Sequence, residues 1–409
     1  MNPRGDGRTT FKLHDHRTIK VAAAAIGLAG IFYLLWKTIA LRGQDLSFRY
    51  LWFAGSLWLD GINPYGSQYQ EIGHKLFASF NGQPFYYPPN WWPISTFMGK
   101  FEYQTAMEIW RTFNMLVIIS STFLLNSALK RVNINILPAY LIFYTGIVSF
   151  MQATVISLST GQTSILMYLG VCLVIYAALT GKHIILAIGF AIVLLKPQIG
   201  VPLMIAFLPF RKHHLSIFYA SVITFLFSLP ALITVGPIIT ITSFLTGLSQ
   251  HSEFASNIGS NSTGLKNVLI TFFSFDISSN TAILTAIIAT ASTGYYFSRR
   301  QKITSEQPIA INQSLFFMMA IAGVGFFSPL HEYDLILMAP ILLLAATETM
   351  RFQYILYAAF LLNIRPGNIA ELFGPHNVDD GRYYTAVVAT LALFSILTLL
   401  LAKIRREAG

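Results

Sequence analysis

Residues 21–41 read VAAAAIGLAGIFYLLWKTIAL, an unbroken apolar run in which Lys37 is the one charge. At about 1.5 Å of rise per residue, such a helix reaches across the ~30 Å hydrocarbon core of a bilayer. The polar, basic stretch Met1–Lys20 before it shows no secretory cleavage pattern, so the run is expected to stay as the first spanning helix. It gives out into QDLSFRYLWF, residues 44–53. That sets Asp45 in the first turn of chain past the membrane and Arg49 one helical turn behind it. A carboxylate there stands at headgroup level, where it can meet a lipid-borne substrate.

The rest of the chain has the same character. With 54% hydrophobic and 11% charged residues and a mean hydropathy of +0.58, a 409-residue protein is too apolar to be a soluble enzyme. The expectation is an all-α polytopic membrane protein, one integral domain over residues 1–409. The net charge of +10 invites a nucleic-acid partner. Its basic residues, however, are dispersed through short loops between apolar runs, the pattern of topology signals, and no nucleic acid is expected. The single Cys172 leaves no intramolecular disulfide and no cysteine metal cluster.

Those basic residues mark the cytoplasmic side: Arg4, Arg8, Lys12, Arg17 and Lys20, then Lys130 and Arg131, Lys182, Arg211 and Lys212, Arg299, Arg300 and Lys302, Arg351, and Lys403, Arg405 and Arg406. Both termini are therefore expected inside, including the tail 1–20, with the protein in the plasma (inner) membrane. Crossings are expected at 21–41, 104–128, 134–151, 163–180, 215–235, 280–298, 311–327, 335–349, 352–364 and 383–402. The segment 184–210 has Lys182 and Arg211 on one side and breaks at Lys196-Pro197. Proline cannot continue the helical ladder, and the segment is too short for two crossings of about 20 residues, so it is expected to enter and return. The total is about 10–12 helical segments. The spans 335–349 and 352–364 are short, which implies local thinning or a cavity.

The large extracytoplasmic segments are expected at 42–103, 236–279 and 364–382, and the chemistry with them. In the first, Leu46–Leu59 and Gln68–Phe80 have the spacing of interfacial helices, joined by turn residues Gly61-Ile62-Asn63-Pro64-Tyr65. Tyr86-Tyr87-Pro88-Pro89-Asn90-Trp91-Trp92-Pro93 is a rigid extended turn rich in boundary-seeking aromatics.

No phosphate-binding loop, dinucleotide fingerprint, HExxH or GxSxG is present. The informative residues are polar ones at membrane depth, which must be paired or used. Asp45 is either an interface residue or a base. Lys196, beside a helix-breaking proline, either meets an anion or snorkels to the headgroups. Ser159-Thr160-Gly161-Gln162-Thr163-Ser164 either cradles an anion or caps a helix. Ser328-Pro329-Leu330-His331-Glu332-Tyr333-Asp334 is a charged break between spans, with too few histidines for a metal site. There His331 is read as a donor to phosphate, against a plain solvated loop. Asn257, Asn261, Ser262, Arg365 and Arg382 also face outward by topology.

Taken together, Asp45, then DGINPYG, FYYPPNWWP, STGQTSILMYLG, LLKPQIGVPLMI, SNIGSNSTG and FFSPLHEYD, resemble glycosyltransferase family 87, polyprenyl-phosphate-sugar-dependent mannosyltransferases with the GT-C fold. The resemblance implies inverting transfer of a sugar, usually mannose, from a polyprenyl-phosphate donor to a glycolipid or glycan acceptor in cell-envelope glycan synthesis. It implies Asp45 as general base, Lys196 and His331 at the donor phosphate, and Tyr87 and Gln162 as motif residues. Arg49, Asn261 and Arg365 join them as substrate contacts. Where many GT-C enzymes carry two acids, this chain has Gln44-Asp45, which leaves any divalent metal open. No other cofactor is expected. The alternative class is a secondary transporter or flippase, but that needs matching broken helices in two halves, which the chain lacks.

Overall fold

The computed structural model describes residues 17–40, 46–77, 82, 84–252, 261–303, 309–373 and 378–408. Asp45 and Asn257 lie outside the described residues, and so do the side chain of Arg382 and residues 78–80 of the second expected interfacial helix.

In chain order the helices are α1 (Arg17–Ala40), α2 (Leu46–Leu59), α3 (Ser67–Leu76), α4 (Trp92–Gly99), α5 (Tyr103–Arg131), α6 (Pro138–Phe150), α7 (Gln152–Thr160), α8 (Ser164–Thr180), α9 (His183–Val193) and α10 (Pro197–Ile205). There follow α11 (His214–Val235), α12 (Pro237–Ser252), α13 (Leu265–Phe273), α14 (Ser279–Ile303), α15 (Ile309–Phe327), α16 (Pro340–Leu344), α17 (Met350–Ile364), α18 (Pro366–Ala370) and α19 (Val378–Ala408). Among the described residues, strand-like pairing is limited to one antiparallel bridge, Thr263–Leu330. The protein is an all-α polytopic membrane protein.

By length and composition α1, α5, the helix ending at Val235 and the apolar body of α19 are able to cross a membrane. So is α6 with α7 if that pair, bent by 59°, is one span. The other expected crossings fall on shorter or more polar helices. At 184–210 the chain forms two half-helices, α9 and α10, which meet at Lys196-Pro197 and pack on each other.

The expected span at 335–349 is corrected. Residues Glu332–Met338 form a 3-10 turn, α16 adds five residues, and Ala345–Thr347 form another 3-10 turn. Pro340 has no N–H for the carbonyl of Ile336, which instead takes the N–H of Ala339 at 3.0 Å in a tighter turn. The segment is apolar because it is enclosed by protein: Leu335, Ile336 and Ile341 are fully buried, with α8 and α15 against it. Irregular backbone at membrane depth is tolerated only in such surroundings.

α2 is similarly more enclosed than an interfacial helix needs to be. Phe48, Leu51, Phe53 and Ala54 are buried, and α4 packs along it. Its end follows the turn chemistry, with Gly61 at φ +73° and Asn63 Oδ1 accepting the N–H of Tyr65 at 3.0 Å.

Candidate functional site

The site is built around the break between α9 and α10. Losing the helical ladder frees two carbonyls, and the aromatic turn supplies their donors. Trp91 Nε1 donates to Leu195 O at 2.8 Å and Asn90 Nδ2 to Leu194 O at 3.3 Å. A third carbonyl is freed inside α10, because Pro202 has no N–H to give Gln198 four residues back. Ser328 Oγ donates there instead, at 2.8 Å. Two distant motifs are thus fastened to the broken helix by the groups its prolines leave unmatched.

Lys196, at the break, does meet an anion, and that anion is internal. Its Nζ lies 2.7 Å from Asp334 Oδ1 and donates to Ser164 Oγ at 3.1 Å, while Ser164 Oγ donates to the same Asp334 oxygen at 2.6 Å. The Tyr333 ring stands 5.2 Å from the ammonium. The second Asp334 oxygen accepts the backbone N–H of His331 at 3.3 Å. The lysine and aspartate side chains are 9% and 2% exposed, so snorkelling is ruled out. A buried pair whose oxygens both have further donors is the arrangement that survives desolvation.

Ser159–Ser164 caps a helix. Gly161 at φ +71° closes α7, and Gln162 N–H returns to Ser157 O at 2.8 Å. A Cβ at Gly161 would run into Phe48 Cβ of α2 and the end of Met107, so glycine is required there for space as well as for conformation. Trp110 Nε1 donates to Gly161 O at 3.2 Å, and the buried Arg111 reaches Leu158 O and Ser159 O at 3.4 Å each. Gln162 Nε2 donates to Ser47 Oγ at 2.7 Å. The turn therefore docks on the first turn of α2, two residues after Asp45.

Of the other expected residues, His331 is half-buried, with its ring 5.2 Å from that of Tyr333. The Thr263–Leu330 bridge, with Thr263 N donating to Leu330 O at 2.8 Å, sets Asn261 and Ser262 alongside it. Tyr87 is buried, its carbonyl taken by Tyr65 Oη at 2.7 Å; burial above all pushes its phenol pKa well up, so it stays neutral. Arg49 lies over the Phe77 ring at 4.8 Å. Arg365 stands apart from the lysine cluster: it donates to Tyr33 Oη at 2.8 Å and lies over the Phe150 ring. The cluster thus brings together Lys196, His331, Tyr87 and the Asn261 segment, and leaves Arg365 outside.

The sequence reading missed four participants. Asp334 and Ser164 were quoted within their motifs without being matched to Lys196, although a buried cation demands a carboxylate. His251 was passed over entirely, yet its ring stacks on Tyr86 at 3.5 Å and 11°. Gln152, also unnoticed, links Glu332 (3.1 Å) to the N–H of Gly367 (2.7 Å).

The model of glycosyltransferase family 87 matches residues 85–329, more than half of the chain. No curated protein matches the sequence.

Proposed function

The chain belongs to glycosyltransferase family 87, and on that premise we propose that it moves a hexose, mannose first, from a polyprenyl monophosphate to a glycolipid or glycan acceptor on the extracytoplasmic side. Asp45 takes the proton of the acceptor hydroxyl. The acceptor oxygen then forms its bond to the anomeric carbon from the face opposite the leaving group. The carbon–oxygen bond to phosphate breaks, and the polyprenyl phosphate leaves with the electron pair. Such a step needs a placed base and a group that meets the charge growing on the phosphate.

His331 is assigned to that phosphate. Lys196, already matched by Asp334, acts as a positioning residue, because the carboxylate it holds in turn holds the His331 backbone. Tyr87 and Asn261 flank the phosphate. Gln162 acts through Ser47 on the start of α2, and so on Asp45. Arg49 and Arg365 belong to the approach of the anionic donor rather than to the reacting atoms.

The observation that carries this reading is the meeting of FYYPPNWWP, STGQTS, KPQIG, NSTG and FFSPLHEYD around one buried ion pair, although they are scattered over residues 85–334. Chain segments so far apart are brought together at the cost of backbone order, and a reaction centre is what they share. Purified Asp45→Asn protein, given a mannosyl polyprenyl monophosphate and a glycolipid acceptor, is expected to lose about 100-fold or more of its turnover while remaining folded. Unchanged turnover would reject the assignment.

A further inference from the structure

α12 meets the aromatic turn along one face. Phe244, Gly247 and His251 follow helical spacing, and each touches the same neighbourhood. The Phe244 ring lies 6.0 Å from that of Tyr65. A Cβ on Gly247 would come within 2.8 Å of the carbonyl oxygen of Phe85, so α12 presses directly on that backbone. One turn on, His251 lies flat against Tyr86, which is itself stacked on Tyr87 at 4.7 Å and 24°. Tyr86 and His251 are both half-buried, and His251 Nδ1 is itself enclosed.

The site therefore holds two imidazoles with different surroundings. His331 sits on the loop that Asp334 and Lys196 fix. His251 has its pKa pushed down to about 3, by burial first and by the proximity of His331 second. Among the described residues, titratable groups near this cluster include Tyr50, Tyr86, Tyr87, Tyr333, Asp334 and Lys196, and the last two neutralise each other. His251 is consequently neutral at ordinary pH. A neutral imidazole has one N–H donor and one bare nitrogen, which suits a hydroxyl, itself both donor and acceptor, better than it suits an anion.

We infer that His251 reads a hydroxyl of the transferred sugar, held edge-on for that purpose by Tyr86, and is a specificity-determining residue of the donor site. The inference rests on the sugar-transfer reading above. In a glycosyl phosphate the hydroxyl next to the anomeric carbon is the one closest to the phosphate, and so to His331 and its neighbour. That hydroxyl is axial in mannose and equatorial in glucose.

The test compares kcat/KM for mannosyl and glucosyl polyprenyl monophosphates in the wild-type protein, His251→Phe, which keeps a ring against Tyr86, and His251→Gln, which keeps hydrogen bonding without the ring. Binding of farnesyl phosphate, which has no sugar, is measured on all three and also reports that the site is folded. The expected result is that His251→Phe loses about tenfold of the preference between the two donors, the worth of one hydroxyl contact. Farnesyl phosphate affinity stays within about twofold, and His251→Gln recovers part of the preference. An unchanged preference overturns the inference while leaving the transferase reading intact. So does a loss confined to farnesyl phosphate binding, which would make His251 a phosphate contact. If the wild-type protein uses neither donor, the transferase reading and this inference fall together.

Discussion

Lys196–Asp334 and Lys403–Glu348 are both ion pairs on a buried carboxylate, and their settings are unlike. The first joins a helix break to a 3-10 turn, with Nζ and Oδ1 2.7 Å apart and Ser164, Tyr333 and the His331 backbone around it. The second joins the continuous helix α19 to Glu348, in the bend between the 3-10 turn Ala345–Thr347 and α17, at 3.2 Å, with Phe352 against the ammonium. Lys403 is the more exposed cation, at 17% against 9%. One pair sits at a helix break where the family's motifs meet, and the other fastens the C-terminal part of α19 to a bend away from those motifs. Similar chemistry thus serves a site in one place and a seam in the other, and the difference can be tested.

The largest effect is expected at the first pair. Lys196→Met leaves a carboxylate buried without its cation, which costs about 3–5 kcal/mol, and turnover should vanish. Adding Asp334→Leu removes the stranded charge and should return most of the stability, read from thermal unfolding in detergent. It should not return activity, because the His331 loop has lost its anchor. A double variant that regains turnover would reduce this pair to the status of the other.

At the second pair the expectation differs in kind rather than in stability. Lys403→Met strands the Glu348 carboxylate, 1% exposed, and should likewise cost about 3–5 kcal/mol. Turnover per folded molecule should hold at the wild-type value. A fall in the rate of the folded fraction, measured on gel-filtered protein, would break the contrast between seam and site.

The long runs that became α1, α5, α11 and α19 were legible because an apolar stretch of that length has few other uses, and Lys196-Pro197 was legible because proline interrupts a helix wherever it falls inside one. The segment 335–349 misled because composition reports that residues avoid water without saying whether lipid or protein replaces it. Lys196 and Asp334 were both in view and their pairing was not, since the two are 138 residues apart in sequence and nothing local pairs them. His251 left a fainter signal, the spacing of Phe244, Gly247 and His251 along one helix face. The family match ends at residue 329 and begins at 85, so Asp45 and His331 rest on the resemblance of their own motifs.

The smallest expected effect tests how the site's backbone is held. Ser328 Oγ donates to Gln198 O at 2.8 Å, a carbonyl that the helix would satisfy itself if residue 202 had an N–H. Ser328→Ala should therefore cost about 1 kcal/mol, the scale of an interhelical hydrogen bond in a membrane protein. In a Pro202→Ala background the ladder supplies the missing donor, and the same serine substitution should cost almost nothing. The two changes are coupled only through that one carbonyl, so a double-mutant cycle read by thermal unfolding isolates it. Additive costs would mean that the serine is packed against α10 without replacing the bond the proline removed, and that the FFSPLHEYD loop is held instead by its bridge to Thr263, by Asp334 and by the bonds of Glu332 and Tyr333 to α7.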